Sequence, residues 1–107
     1  MLGALFESLA ALTVRAIASA HGFGSFHMRT RGGEHEIDLI VELGDGRILA
    51  IEVKMSDTVD DRDVRHLLWL RRTLGERVAD IAVLNCGPIA HRRGDGVAVI
   101  PLALLGP

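Results

Sequence analysis

The residue types that could do chemistry are concentrated in two short segments. Asp38 lies inside the apolar run Ile37-Asp38-Leu39-Ile40-Val41, and the tripeptide Glu52-Val53-Lys54 closes a second apolar run after a glycine-rich turn. Of the twelve basic residues, Lys54 is the only lysine. In a chain that otherwise uses arginine, one lysine beside two acids indicates a site that needs a compact ammonium group rather than a planar guanidinium group.

A tight hairpin would bring these three side chains together. The Gly44–Gly46 segment predicts a three-residue loop with a left-handed final glycine, and counting back from it places Asp38 directly opposite Glu52. Opposed residues of an antiparallel ladder share a face, with Cβ atoms about 5 Å apart. Lys54, two residues after Glu52, points to the same face. The other face of the hairpin is then entirely apolar: Ile37, Leu39, Val41, Leu43, Leu49, Ile51 and Val53.

Two carboxylates and one ammonium group on a single patch favour magnesium-dependent phosphate chemistry. Two opposed acids repel each other, and a divalent cation removes that repulsion. Mg²⁺ takes one or two carboxylates, several waters and a substrate phosphate, so we expect Asp38 and Glu52 to be its ligands. We expect Lys54 to stabilise the charge of an in-line transition state. A second interpretation stays open, because a strand with Glu-x-Lys is also typical of a solvated face with an ion pair.

The rest of the chain predicts the elements that hold this hairpin. The apolar spacing and the glycine positions indicate a sequence of helices and strands rather than a repeat or a linker. We expect a helix over 3–20, a strand over 25–30, hairpin strands over 36–43 and 47–54, a helix from Ser56 or Asp57 to about Leu74, a buried strand over 78–85, a polar tip over 91–96 and a strand over 97–101. This order predicts an α/β fold with a mixed central sheet flanked by helices.

Length and composition limit the functional classes. We expect 107 residues to form one domain, residues 1–107. The net charge of −2 lacks the basic footprint of a strong free-standing nucleic-acid binder, so any such contact has to be local or supplied by a partner. Cys86, expected to be buried, is the only cysteine and fits a reducing cytoplasm. The sequence shows neither a signal peptide nor an uncharged apolar run of membrane-spanning length, so a cytoplasmic protein without membrane contact is expected.

The motifs and their order resemble the PD-(D/E)XK nuclease superfamily. Glu7 in the first helix, Asp38 and the Glu52-Val53-Lys54 tripeptide carry this resemblance. More narrowly, the chain is similar to the domain of unknown function found C-terminal to the ATPase module of predicted archaeal-type AAA+ proteins. That similarity extends from about residue 3 to residue 106, and its most specific segments are Gly3–Glu7, Arg29–Ile40, Ala50–Lys54 and Gly94–Leu102.

The resemblance implies a fold and a site. It implies a restriction-endonuclease-like αβββαβ core and Mg²⁺-dependent cleavage of nucleic acid, with DNA as the expected substrate and Mn²⁺ able to replace Mg²⁺. The implied metal ligands are Asp38, Glu52, Glu7 and the backbone carbonyl of Val53. The implied catalytic residues are the same three acids together with Lys54. The ATPase module has no counterpart in the chain, because no G-x-x-x-x-G-K-[ST] motif is present.

Four further residues have two open interpretations each. Glu7 either joins the site as a third acid or is an exposed residue that favours the dipole of its helix. Arg29 and Arg31 either steer nucleic-acid phosphates or belong to a solvated strand edge. His66 either faces the site and assists nucleic-acid binding or is a structural residue of the second helix.

Two function classes remain possible from the sequence. The first is a metal-dependent nuclease. The second is a catalytically silent, nuclease-like interaction or regulatory module associated with an AAA+ ATPase. The intact motif of acids and lysine favours the first class. The low basicity, the apolar first helix and the absent ATPase module favour the second. A second apolar face at Trp69 and Leu70, together with that helix, would suit a homodimer or an ATPase partner.

Overall fold

The computed structural model describes residues 2–105 of the chain. The helix over the first twenty residues, the hairpin strands and the buried strand agree with the predicted bounds to within one residue. In chain order the elements are α1 (Leu2–Ala20), β1 (Gly24–Arg29), β2 (Glu36–Glu42), β3 (Ile48–Val53), α2 (Arg65–Leu74), a 3-10 turn (Gly75–Arg77), β4 (Val78–Asn85), β5 (His91–Arg92), β6 (Ala98–Pro101) and a second 3-10 turn (Leu102–Leu105).

The strands form one mixed sheet. Its six strands are ordered β1-β2-β3-β4-β6-β5. Strands β1, β2 and β3 are antiparallel neighbours, whereas β4 runs parallel to β3 on one side and to β6 on the other. The connection from β3 to β4 contains α2, as expected for a crossover between parallel strands. The predicted α/β class, with a mixed central sheet flanked by helices, is confirmed.

The β2–β3 hairpin has the predicted register. Leu39 pairs with Ile51, and the backbone N–H of Leu43 donates to the carbonyl of Arg47 at 2.8 Å. Gly46 ends the loop with a φ of 85°, a conformation that glycine adopts without steric cost. Continuation of this register places Asp38 opposite Glu52.

The two helices lie on opposite faces of the sheet, and each covers its own apolar cluster. Successive strand residues alternate between the clusters, as the two-residue period of a strand requires. The α2 cluster contains Ile37, Ile40, Ala50, Val64, Leu67, Leu70, Ile81, Val83 and Val97. The α1 cluster contains Ala10, Val14, Ala18, Leu39, Val41, Ile51, Val53 and Leu84. The small buried residues of α1 allow that helix to approach the sheet closely.

The start of α2 differs from the prediction. Helix α2 begins at Arg65, not at Ser56 or Asp57. Side chains of the preceding segment bond to nearby backbone groups and hold turns instead: the carboxylate of Asp60 accepts from the backbone N–H of Arg62 at 3.0 Å. Serine and aspartate offer the backbone such alternatives to helical hydrogen bonds.

A β-bulge in β2 changes one predicted face. His27 of β1 lies opposite two residues of β2, Asp38 and Leu39, because Phe26 pairs with Ile40 and Met28 pairs with Ile37. The extra residue interrupts the alternation of side chains. The prediction that Ile37 shares a face with Leu39 was therefore wrong, and Ile37 is buried in the α2 cluster.

Three smaller expectations were also wrong. Leu70 does not belong to a second apolar face, because it is buried in the α2 cluster. Cys86 is exposed rather than buried. The tip expected over 91–96 includes the short strand β5, which pairs with β6 and makes this region a hairpin.

Helix α1 presents two different surfaces. Ala10, Val14 and Ala18 are buried against the sheet. The opposite surface exposes large apolar side chains, which are Leu2, Leu5, Leu9 and Leu12. By length and composition alone, α1 would be long and apolar enough to cross a membrane.

Candidate active site

The predicted site residues lie where β2 and β3 meet the start of α2. Glu52 is near the carboxyl end of β3, Lys54 follows that strand directly, and Asp38 lies beside them in β2. Strands β3 and β4 run parallel, so their carboxyl ends lie at the same edge of the sheet. In open α/β sheets this edge is where ligands usually bind.

The structure brings Asp38 and Glu52 together through the backbone. The backbone N–H of Asp38 donates to Oε1 of Glu52 at 2.9 Å. The backbone N–H of Val53 donates to Oδ2 of Asp38 at 2.7 Å. At the end of the β2–β3 ladder, the Asp38 carboxylate thus accepts a backbone hydrogen bond that a carbonyl of β2 would otherwise accept. This position lies beside the β-bulge opposite His27. Both acids are fixed by backbone groups of the opposing strand rather than by flexible side chains.

The ionisation of both acids is disfavoured in this environment. Burial, and then the negative charge of Asp38, raises the pKa of Glu52 to about 8. Burial also raises the pKa of Asp38, although the hydrogen bond from Val53 opposes that shift. A cation would be stabilised beside two partly buried carboxylates, one of which is kept protonated in part by the charge of the other.

Lys54 is held by an acid that the sequence did not single out. Its Nζ donates to Oδ2 of Asp63 at 2.5 Å, and the Lys54 side chain is 36% exposed. Burial alone would raise the pKa of the Asp63 carboxyl, but the hydrogen bonds from Lys54 and Asp60, together with the charge of Lys54, keep that pKa below its usual value. The charge of Asp63 also helps to raise the pKa of Glu52. Asp63 therefore anchors the ammonium group of Lys54, and its own charge reaches Glu52.

Glu7 approaches the site from the other face of the sheet. It is exposed and lines, together with Asp38 and Val53, a small pocket of about 210 Å³ between α1 and the sheet. Glu52 belongs to the α2 side, because its strand neighbours Ile51 and Val53 belong to the α1 cluster. Asp38 is thus the residue that links the two sides.

The donor set fits a cation that needs few protein ligands. Within residues 2–105, no three His, Cys, Asp or Glu side chains lie close enough together to hold a metal ion between them. This excludes a preformed zinc-type site among them, since zinc takes three or four such ligands. Mg²⁺ keeps several waters and takes only one or two carboxylates. Asp38 and Glu52 each use one oxygen in the hydrogen bonds above and keep the other, so the pair fits Mg²⁺.

A histidine and tryptophan cluster beside the site was missed by the sequence reasoning. Nδ1 of His66 lies 3.0 Å from Nδ1 of His35, and the His35 ring stacks on Trp69 with centroids 3.9 Å apart and planes 8° apart. Burial, and then the charge of Arg65, lowers the pKa of His66, while the charge of Asp38 acts in the opposite direction. Only the tertiary contact between the β1–β2 turn and α2 creates this cluster, so no local sequence signal could have revealed it.

The predicted nucleic-acid contacts lie near this cluster. Arg29 and Arg31 are both exposed and flank the β1–β2 turn that reaches α2. Nearby, Nε2 of His27 lies 3.0 Å from Oε1 of Glu36, and Nδ1 of His27 donates to the carbonyl of Asp38 at 3.3 Å. His27, which the sequence analysis did not single out, therefore also lies against the site.

Two other arginines have structural roles. Arg92 forms a two-point contact with the carboxylate of Asp80, at 2.9 and 3.0 Å. Arg93 is largely buried and donates to Asp61, to Asp95 and to the carbonyl of Val59. It joins the segment before α2 to the β5–β6 hairpin.

The comparison with known families gives one match. Residues 2–105 match the family described as Domain of unknown function (DUF4143). No curated protein and no solved structure gives a significant match. The match covers nearly the whole chain and is consistent with the ATPase-associated domain of unknown function that the sequence resembles. The chain therefore belongs to the DUF4143 family.

Proposed function

We propose that this domain is a magnesium-dependent nuclease that hydrolyses phosphodiester bonds, with DNA as the expected substrate. The observation that carries the proposal is the pair of acids Asp38 and Glu52, fixed by backbone hydrogen bonds and each raised in pKa. Lys54, the only lysine of the chain, follows directly on the strand that carries Glu52. The residue types, their order along the chain and the αβββαβ order of elements all agree with the PD-(D/E)XK resemblance.

Each residue has a definable role in this proposal. Asp38, Glu52 and the backbone carbonyl of Val53 would hold Mg²⁺. Glu7, on the α1 side, would act through a water bound to the ion rather than as a direct ligand, because the three acids do not converge on one point. When bound, Mg²⁺ supplies an activated water and neutralises phosphate charge. Lys54 offsets the additional negative charge that a phosphate carries in an in-line transition state.

Asp63 has a positioning role. Its bond to Lys54 aims the ammonium group and limits its rotamers. An arginine at position 54 would present a wider, planar group in the same space. Lysine is therefore the basic residue that this arrangement requires.

The proposal is tested by nicking of supercoiled plasmid with Mg²⁺ or Mn²⁺. We expect Asp38→Asn and Lys54→Ala to lower the cleavage rate at least about a hundredfold, the loss typical when one electrostatic group of an active site is removed. Asp45→Asn is the matched control, because Asp45 is an exposed aspartate of the β2–β3 loop. Cleavage that persists unchanged in the first two variants would remove these residues from the site.

The alternative function is a catalytically silent module that associates with an AAA+ ATPase. The exposed leucines of α1 favour it, because such a surface suits a protein partner. A metal titration separates the two functions. The nuclease requires that Mg²⁺ or Mn²⁺ raise the melting temperature, since a ligand that binds only the folded state stabilises it. A silent module with vestigial acids would show no such rise.

A further inference from the structure

Helix α2 carries arginines beside an aromatic side chain. Arg65, Trp69 and Arg72 follow one another at intervals of four and three residues, so they lie along one face of the helix. Arg65 and Arg72 are exposed. Among the described residues, neither has an acidic partner within ion-pair distance. This face therefore presents uncompensated positive charge on a chain whose net charge is −2.

The β1–β2 turn extends this positive surface. It packs on α2 through His35, whose ring lies flat on Trp69. Arg29 and Arg31 of the turn are exposed and also lack an ion-pair partner among residues 2–105. Arginines thus stand on both sides of the stacked rings.

The surface is continuous with the candidate site. Nδ1 of His66 lies 3.0 Å from Nδ1 of His35, and the charge of Asp38 acts to raise the pKa of His66. The acids of the turn are Glu34 and Glu36, and Glu36 is engaged by a histidine of β1. A chain of phosphates lying on the arginines would therefore pass next to the proposed cleavage site.

We propose that this surface binds a single strand of nucleic acid, with one base stacked on the free face of His35 and phosphates held by the arginines on either side. The proposal rests on the nuclease function in one respect, because the bound strand would be the substrate. Trp69 covers one face of the His35 ring. His35 as a residue is half-buried rather than buried, so we expect the other face of the ring to be the one that a base reaches. An unpaired base can stack on such a ring, whereas a base inside a duplex cannot reach it.

Trp69 provides a direct probe of binding. It is the only tryptophan, and the chain has no tyrosine, so the intrinsic fluorescence reports on this cluster alone. The titration uses a twelve-nucleotide oligothymidylate and, separately, a duplex of the same length, with EDTA present. We expect the single strand to change the fluorescence and to bind at least about fivefold more tightly than the duplex, the smallest factor typical of one stacked base.

Two sets of variants separate stacking from charge. His35→Ala should weaken single-strand binding at least about fivefold, and His35→Phe should restore it, because phenylalanine also stacks. Arg65→Ala and Arg72→Ala should each reduce the slope of log affinity against log salt by about 0.7, the value for one phosphate contact on a single strand. Arg15→Ala is the matched control, since Arg15 is an exposed arginine of α1 on the other side of the sheet, and it should leave the slope unchanged.

The outcomes distinguish this proposal from the nuclease proposal. Equal affinity for duplex and single strand, wild-type binding by His35→Ala, or an equal loss in Arg15→Ala would each overturn single-strand binding at this surface. Glu52→Gln, which removes a proposed metal ligand, should bind the oligonucleotide as tightly as the wild type. Selective binding without any cleavage would support the binding surface and count against the nuclease. Metal-dependent cleavage without selective binding would support the nuclease and count against the binding surface.

Discussion

The two faces of the sheet use helices in opposite ways. On one face, the short helix α2 buries the large side chains Leu67 and Leu70. On the other, the longer helix α1 buries only alanines and one valine and turns its leucines to solvent. The large apolar side chains of α2 are covered by the sheet, and polar residues lie at the edge of that contact. Helix α1, in contrast, packs against the sheet on one side and exposes large apolar side chains on the other. We infer that truncation of a buried leucine in α2 costs more stability than truncation of a leucine in α1, and that α1 has a surface available for another contact.

The cavity beside α1 agrees with this comparison. An apolar groove of about 370 Å³ lies between α1 and the sheet, bordered by Ile17, Ile51, Ala82 and Ile100. Helix α1 packs on β1, β2 and β3, and the groove extends from the edge of that contact over β4 and β6. The α1 face of the sheet is thus less completely filled than the α2 face.

Truncation of one leucine in each helix should give the largest difference in the free energy of unfolding. Leu67 is 0% exposed and Leu12 is 67% exposed. We expect Leu67→Ala to lower the free energy of unfolding by about 2–5 kcal/mol, since it leaves a cavity. Leu12→Ala should change it by less than about 0.5 kcal/mol. Urea denaturation followed by circular dichroism measures both, and similar losses in the two variants would contradict the comparison.

The acids at the edge of the α2 face should make stability depend on pH. The folded pKa of Glu52 is about 8, compared with 4.5 for an unperturbed glutamate. Between these values the folded state holds a proton that the unfolded state has released, so the free energy of unfolding falls as the pH rises through this range. Because one pKa unit corresponds to about 1.4 kcal/mol and the site is partly solvated, we expect a loss on the order of a few kcal/mol between pH 5 and pH 9.

Glu52→Gln tests this dependence. Glutamine resembles the protonated acid, so the variant should be more stable than the wild type at pH 9 and nearly equal to it at pH 5. Mg²⁺ should raise the melting temperature of the wild type more at pH 8.5 than at pH 6, because binding requires the ionised acid. An unchanged pH profile in Glu52→Gln would show that Glu52 ionises freely in the folded protein.

Replacement of two adjacent arginines should lower the stability of the domain by unequal amounts, with a smaller difference than in the variants above. Arg93 has a 16% exposed side chain and ties the segment before α2 to the β5–β6 hairpin, whereas the 55% exposed Arg92 pairs with Asp80 beside the α1 groove. Arg93→Ala leaves partly buried acceptors without a donor, so we expect a loss of about 1–3 kcal/mol. Arg92→Ala removes an exposed pair and should cost about 0–1 kcal/mol. Thermal denaturation of both variants measures the difference, and a larger loss in Arg92→Ala would reverse our assignment of the structural arginine.

The parts of the fold that the sequence predicted are those governed by short-range rules. The hairpin register followed from the glycines of one loop, and the bounds of α1 and β4 followed from apolar periodicity. The start of α2 could not be predicted in the same way, because Asp60 bonds to backbone groups that a helix would otherwise use. The bulge opposite His27 also left no local signal, since it depends on how β1 pairs with β2.

The site was predictable to a similar extent. The proximity of Asp38 and Glu52 followed from the register of the hairpin. The contacts of Lys54 with Asp63 and of His35 with Trp69 join segments that are distant in sequence or separated by an irregular loop. Such contacts arise only when the helix packs on the sheet, and the residues concerned have no motif of their own.

The exposed stripe of α1 gives the last prediction. Its leucines, at positions 2, 5, 9 and 12, have the three-and-four spacing with which one helix packs against another. We expect a second copy of the chain to cover this stripe, which is one of the two occupants that the sequence left open. Leu5→Glu combined with Leu12→Glu should then lower self-association in sedimentation velocity without lowering the melting temperature, because both side chains are already exposed.

A charge-matched control decides whether the leucines themselves are responsible. Ala4→Glu combined with Ser8→Glu adds the same charge to α1 at exposed positions beside the stripe and should leave self-association unchanged. If both double variants reduce association equally, the effect is electrostatic and the stripe is not the contact. If neither double variant reduces association, the wild type either is monomeric or associates through another surface. The exposed leucines of α1 would then be a surface for a different partner, such as an ATPase.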